Sequence, residues 1–291
     1  MGVTETQRHM NGLISINDKE FKLISDLVYK KFGINLTDKK RTLVRGRLNT
    51  LLREMGFTSF EQYYTAVVKD TTGKRLVELV DRISTNHTFF FRESDHFDFL
   101  REKVLPGLAD KLKRNNSRDV RIWCAGCASG EEAYTLAIVL SSFFGNDFFI
   151  EGPPILATDI SSRALEFALQ GIYPQERLRE ISPELLKRYF TVVDTRFESR
   201  QYQVKDNLKK LILFKRLNFQ QETFPFKGIF NVIFCRNVMI YFDKPTKEVL
   251  VKKFHRHLEE GSYFFIGHSE TLGREDRLFT YVQPAVYKRI P

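Results

Sequence analysis

The spacing of apolar residues changes once along the chain. From residue 15 to about residue 113 the period is helical: Phe21, Ile24, Leu27 and Val28 fall along one face. Thr37 can cap a second helix, with Leu43, Leu48, Leu51 and Leu52 as its apolar side, and Gly56 after Met55 marks its end. Ser59 opens a third helix through Tyr63, Tyr64 and Val67, and Gly73 separates it from a fourth over 76–83. Residues 97–112 read as a linking helix, and 111–118 as a polar, basic connection. Nothing before Val120 reads as a strand of a central sheet.

Beyond Val120, short apolar runs alternate with amphipathic stretches. Strands are predicted at 120–123, 154–158, 211–214, 229–234 and 263–267, and a closing edge strand at 286–290. Helices are predicted at 131–144, 161–170 and 246–258. Strands alternating with helices indicate a doubly wound α/β sheet. The polar stretch 189–210, with Tyr202 and Val204, interrupts the alternation and reads as an inserted hairpin. The expected organisation is a helical domain over 1–96, a linking helix and connection over 97–118, and an α/β domain over 119–291.

Composition narrows the class. The 291 residues are 42% hydrophobic and 28% charged, enough for two packed cores and too apolar for bulk disorder. No apolar run is long enough to span a membrane, and residues 1–11 lack the apolar stretch of a secretion signal. Three cysteines do not make a disulfide framework. A cytoplasmic protein without membrane insertion is expected. The formal net charge of +10 favours an acidic partner, whether nucleic acid, an anionic membrane or a protein.

The candidate chemistry lies where predicted strands end. The first strand runs into Ala125-Gly126-Cys127-Ala128-Ser129-Gly130, small residues that let a ligand approach the backbone, followed by the acidic helix start Glu131-Glu132. Asp159, ending the second strand, can accept ribose hydroxyls. The turn is not G-x-G-x-x-G, and the acidic pair would repel a pyrophosphate but suits an α-ammonium group. A nucleoside carrying an amino acid is S-adenosylmethionine; a glycine-rich turn with a solvated helix start is the plainer reading. Cys124-x-x-Cys127 resembles a redox dithiol, yet no proline lies between the cysteines and the acids would raise a thiolate pKa. No metal ligand set is expected, since His255 and His257 point about 200° apart around a helix.

Three further segments border the same end of the sheet. Phe89-Phe90-Phe91 reads as a wedge docking the domains or as a pocket lining, and Arg92 beside it is suited to gripping a carboxylate. Arg236, Asn237 and Tyr241 follow the fourth strand, without the Asn/Asp-Pro-Pro-aromatic turn of base-directed methyltransferases. Gly267-His268-Ser269-Glu270 invites a Ser-His-Glu triad, but neighbouring side chains on an extended segment diverge, so a polar loop is the better reading.

Taken in order, Asn86-x-Thr88-x-Phe90-Phe91-Arg92-Glu93, Ala128-Ser129-Gly130-Glu131-Glu132, Ala157-Thr158-Asp159-Ile160, the run 234–242 and Gly267-His268-Ser269-Glu270 resemble the CheR chemotaxis receptor methyltransferases over residues 15–289. The resemblance implies a class I methyltransferase (Rossmann-like) domain with an N-terminal all-α domain and an inserted antiparallel β-subdomain. It implies methyl transfer from S-adenosylmethionine, leaving S-adenosylhomocysteine, to glutamates of a chemoreceptor helical bundle as γ-methyl esters. Asn86, Thr88, Arg92, Glu132, Asp159, Asn218, Phe219, Arg236 and Asn237 would contact the cofactor, with Arg92 and Tyr241 beside the reacting methyl. Lys39, Lys40, Arg41, Arg45, Arg47 and Arg53 would form a basic receptor-docking face. Family members that grip a receptor's C-terminal pentapeptide carry a glycine-containing loop in the inserted subdomain. The corresponding stretch here, 193–200, has no glycine, so independence from that tether is expected. The alternatives are an RNA methyltransferase, for which interleaved aromatic RNA-binding motifs are missing, and a cofactor-sensing module without turnover.

Overall fold

The first helix begins where Asn17 accepts from the Glu20 amide while the Glu20 carboxylate accepts from the Asn17 amide, a reciprocal cap. In this computed structural model, which describes residues 13–194, 200–226, 228–273 and 277–290, that helix is α1 (Asp18–Phe32). It ends at Gly33, whose φ of 72° is the left-handed cap conformation. α2 (Arg41–Glu54), α3 (Phe60–Lys69) and α4 (Lys74–Ile83) follow. Thr37 makes no side-chain cap; a short 3-10 turn over Asp38–Lys40 precedes α2 instead. Leu43, expected on the apolar side of α2, is exposed, and Val44, Leu48, Leu51 and Leu52 form its buried face.

Two compact units result. The first is the chain to Thr85 with two later segments, Asn218–Gln221 and Tyr241–Thr246; the second is Asn86–Leu217, Glu222–Ile240 and the chain from Lys247 on. Residues 86–96, assigned to the helical domain from sequence, thus group with the second unit.

The second unit opens with α5 (Asp95–Phe99), a π turn over Leu100–Val104 and α6 (Leu105–Arg114) in place of one regular linking helix. Pro106 has no N–H to offer the carbonyl four residues back, and the hydrogen-bond ladder widens there. Then come β1 (Ile122–Ala125), α7 (Glu131–Phe144), β2 (Ile155–Asp159), α8 (Ser162–Gln170), β3 (Ile172–Pro174), α9 (Pro183–Tyr189), β4 (Phe190–Asp194), β5 (Gln201–Val204), α10 (Asp206–Lys209) and β6 (Ile212–Arg216). The chain closes with β7 (Phe230–Cys235), α11 (Lys244–His257), β8 (Leu258–Ile266), β9 (Phe279–Gln283) and β10 (Val286–Arg289).

The large sheet has the order β6-β2-β1-β7-β8-β10-β9. Its first five strands are parallel, with β1 paired to β2 through Cys124–Ala157 and to β7 through Cys124–Phe234. β10 and β9 are antiparallel additions. The strand expected to close the edge, β10, lies inside it, and β9 is the edge. The insertion is also larger than a hairpin: β5 pairs with β3 on one side and β4 on the other, so it draws in residues from Ile172 onward. β1 is buried along its whole length, and Trp123 sits at the centre of Phe224, Phe226, Phe230 and Phe254. A parallel sheet covered on both faces concentrates ligand-binding loops at the carboxyl ends of its strands.

Candidate active site

The turn after β1 is fastened to β2 by the amides of Gly126 and Cys127, which both donate to the Thr158 carbonyl at 2.7 and 2.9 Å. Gly126 has φ +91°, and a Cβ there would collide with the Val238 side chain after β7, so only glycine lets the two strand-end turns approach. Ala128 also has positive φ, 47°, and its amide donates to Asp159 Oδ2 at 2.8 Å, while Ser161 donates to Oδ1 at 2.9 Å. Ala125, buried at the end of β1, and Gly126 thus lie beside Asp159 as expected. The proposed nucleoside acceptor is itself the anchor of the glycine turn.

The two acids that open α7 point about 100° apart and meet different partners. Glu131 accepts from Ser129 Oγ and Arg177 Nη1, both at 2.6 Å. Burial pushes its carboxyl above the usual range against those bonds. Glu132 accepts from Cys124 Sγ at 3.3 Å and lies 3.4 Å from Arg236 Nη1. Burial raises its carboxyl too, with the Arg236 charge opposing. Of the expected acidic pair, Glu132 alone faces the strand-end cluster.

Arg236, 4% exposed, is the centre of that cluster. Its Nη2 donates to Glu93 Oε2 at 3.0 Å and to the Arg92 carbonyl, and its guanidinium lies over the Phe97 ring. Burial pushes the Glu93 carboxyl up, but the Arg236 charge and hydrogen bond, with that of Asn237, bring it below the usual carboxylate range. Asn237 has φ +58° and donates from Nδ2 to Glu93 Oε1 at 3.3 Å. Phe91 and Glu93 share the left-handed region, at 55° and 53°. With Ala128, positive φ at four non-glycine residues in the turns after β1 and β7 and the segment before α5 stores backbone strain where a ligand site is expected. Arg92 Nη1 donates to the His87 carbonyl at 2.9 Å, and Asn86 and Thr88 lie half-buried in the same loop.

Two acids have roles that their motifs do not announce: Glu93, which follows Arg92, and Glu270, in the polar loop after β8. Glu270 Oε2 accepts from the amides of Asn237 and Gly267 at 2.9 and 2.6 Å, and Oε1 from Ile240 at 3.1 Å. One carboxylate therefore holds the turn after β7 to the turn after β8. A Cβ at Gly267 would overlap Asn237, which explains the glycine before His268. An acid four residues past the end of β8 and three past a glycine is the available signal, but backbone acceptors leave no period in a sequence.

Several motif readings resolve here. Glu270 is committed to backbone amides and His268 Nε2 lies 3.1 Å from Asp95 Oδ2, so Ser269, His268 and Glu270 do not align as a triad. Phe90 packs edge-on against Tyr173 and Phe190 inside the second unit, Phe91 against Phe97, and Phe89 lies under the Arg92 guanidinium, so the three do not form one wedge. Burial, with Glu132 and Asp159 nearby, pushes the Cys124 and Cys127 thiols far up.

The remaining expected site residues belong to the first unit. Asn218 donates to the Lys31 carbonyl at 2.8 Å and neighbours Phe219, and the Tyr241 ring lies under Lys40 at 5.3 Å. The basic face is not uniform. Arg41 pairs with Asp18 and Asp38 and covers Phe21, Arg47 donates to the carbonyls of Ile83 and Ser84, and Lys40 donates to the Asn35 carbonyl. Lys39 and Arg53 are exposed, and Arg45 is half-buried. The glycine-free loop 193–200 lies for the most part outside the described residues, over 195–199.

The donor set suits S-adenosylmethionine. Arg236 Nε and Nη1 are buried and complete no hydrogen bond among the described residues. A guanidinium with donors to spare beside a buried carboxylate offers both signs to an amino-acid zwitterion, and Asp159 ends β2, two strands along the sheet.

Residues 86–288 match the model of the CheR methyltransferase SAM binding domain, and residues 19–84 that of the CheR methyltransferase all-alpha domain. The chain is 44% identical over 283 residues to a chemotaxis protein methyltransferase of Borreliella burgdorferi, spanning 97% of this chain and 98% of that protein. It is 34% identical over 289 residues to a chemotaxis protein methyltransferase of Escherichia coli, spanning 98% and 96%.

Proposed function

The chain belongs to the CheR methyltransferase family, and from that membership we propose how its own residues carry out S-adenosylmethionine-dependent methylation of chemoreceptor glutamates. The enzyme is a protein-glutamate O-methyltransferase. S-adenosylmethionine supplies an electrophilic methyl group on a sulfonium. Arg236 and Glu132 hold the amino-acid end, Asp159 the ribose side, and Asn86, Thr88 and Asn237 complete the lining, with Ala125 and Gly126 leaving room against the backbone. Asn218 and Phe219 rest on the family resemblance. The observation that carries this reading is the buried Arg236 with unused donors beside Glu132.

A glutamate side chain is ionised at neutral pH, so the chain needs no general base. Its task is alignment and exclusion of water. Arg92 orients the incoming carboxylate. Tyr241 steadies the methyl-donor geometry, a role taken from its place in the family motif. The exposed cations Lys39 and Arg53 steer the acidic receptor bundle to the helical unit in the cytoplasm, and the glycine-free insertion makes the receptor pentapeptide dispensable. No described helix is long and apolar enough to cross a membrane. We place the end of the helical domain near residue 85, where the compact unit ends.

Calorimetry with S-adenosylhomocysteine, followed by transfer of labelled methyl to a purified chemoreceptor, tests the assignment. Wild type binds the product and labels receptor as a base-labile ester. Asp159→Ala loses at least about tenfold in affinity, close to 1.4 kcal/mol, while Arg92→Ala binds but transfers slowly. An unchanged transfer rate in Arg92→Ala, or label entering RNA instead of receptor, would break it.

A further inference from the structure

Glu93, a partner of Arg236, also belongs to a group of potential ligands whose two histidines the methylation chemistry does not use. Glu93 precedes α5 and His96 lies within it, and the two side chains come to within 3.7 Å of each other. His268, 172 residues further along the chain, follows β8 and brings its ring edge-on to His96, with centroids 4.7 Å apart. One ligand atom from each of Glu93, His96 and His268 lies within 4.8 Å of the other two. We propose that these three residues bind a divalent cation of the zinc class.

The independent observation is His96. Its side chain is wholly buried, and neither ring nitrogen has a hydrogen-bond partner among the described residues. Its Nδ1 stands 3.7 Å from Glu93 Oε2, beyond hydrogen-bond reach. A buried imidazole without partners is costly, so such a group calls for an occupant. Water could serve, but here the nearest polar groups are another imidazole and a carboxylate, which together form a zinc donor set that leaves a fourth position open. Magnesium and calcium prefer oxygen ligands throughout. The second ring already has its orienting partner, since His268 Nε2 lies 3.1 Å from Asp95 Oδ2, the carboxylate–imidazole arrangement that steadies metal ligands. His268 is 43% exposed and provides the entry route. Arg236 opposes the cation, since it donates to the same Glu93 oxygen that faces His96, but Glu93 and Asp95 set two carboxylates against that one guanidinium. An ion there would tie the Arg92-bearing segment to the loop that carries Glu270.

The test is titration of the whole chain, freed of metal by chelator, with zinc by calorimetry and with cobalt by visible absorption. Wild type takes up one tight equivalent, and cobalt develops the intense visible absorption of low-coordinate nitrogen and oxygen ligation. His268→Gln, at an exposed position, loses at least about tenfold in affinity for that equivalent, whereas His255→Gln on α11 retains it. Absence of a tight equivalent in wild type, or an equivalent undiminished in His268→Gln, overturns the proposal.

Discussion

Arg236 and Arg41 each stand between two carboxylates, one at the strand ends of the sheet and the other at the start of α2. Arg236, with its side chain wholly inaccessible, meets Glu93 and Glu132; Arg41, with about a third of its side chain exposed, meets Asp18 and Asp38. The ion-pair chemistry is shared, and the surroundings decide its consequence. Water solvates Asp18 and Asp38, whose side chains are 90% and 84% exposed, whether or not Arg41 is there. Nothing replaces Arg236 between two carboxylates that are each 13% exposed. A charge cluster of the first kind is a local rearrangement of surface ions. One of the second kind organises three segments, because each partner is costly to bury without the others.

The widest separation between the two regions comes from truncating the cations. Arg236→Met leaves Glu93 and Glu132 without their counter-charge and costs about 3–5 kcal/mol in urea denaturation, with loss of S-adenosylhomocysteine binding. Arg41→Met, measured alongside, produces no resolvable shift in midpoint. Comparable losses in the two variants would show that burial does not decide what the ion pair is worth.

Next in size is Glu270→Ala, which removes one acceptor from the amides of Gly267, Asn237 and Ile240. Charged hydrogen bonds to three amides, two of them partly buried, make this a loss of roughly 2 kcal/mol. Methyl transfer falls more than stability does, since the turn carrying Arg236 and Asn237 loses its tie. A stable variant with wild-type transfer would confine Glu270 to an ordinary loop.

Acid separates the regions in a different way. Burial, then the Arg236 charge, pushes His96 down to about 4, with His268 adding to that effect and Asp95 and Glu93 opposing it. A folded-state value below the ordinary 6.5 means that the unfolded chain binds the proton more readily. The contribution is therefore present above pH 6.5 and is lost as pH falls from 6.5 towards 4. With chelator present, wild type loses stability over that window and His96→Gln loses less. Equal pH slopes would show that His96 does not titrate in this way.

The smallest change in stability is expected at the exposed cations. Lys39→Glu with Arg53→Glu leaves the denaturation midpoint unchanged, yet slows receptor methylation at low ionic strength, and the deficit fades as salt is raised. A deficit that salt does not touch would indicate direct contact in place of steering.

Much of this was legible beforehand, for identifiable reasons. The 131–144 helix and the β1, β2 and β7 strands fall within a residue or two of their predicted bounds, because each is a clean apolar run ended by Gly, Asp or a polar turn. Asp159, Arg236 and Asn237 sit at strand ends and Glu132 in the first turn of α7, all in the second unit. The reading failed where an element is defined by its neighbour. β3 is three residues long and is a strand only because β5 lies beside it. β10 reads as an edge until β9 pairs with it. Leu43 and Val44 differ by one position on α2, and packing alone decides which is buried.

The sequence by itself determined the two classes of structure, the alternation of the main strands and helices, the glycine turn with its acids, and the family. All of these are encoded in local period, residue size and motif order. Tertiary structure decided which carboxylate serves which purpose. Glu131 and Glu132 are adjacent in the chain, yet one meets Arg177 and the other Arg236. Glu93, His96 and His268 become neighbours only when the loop after β8 folds back on the segment before α5. The reason is physical: local preferences act over a helical turn or a strand, whereas the pairing of buried charges depends on what the rest of the chain leaves within about 4 Å.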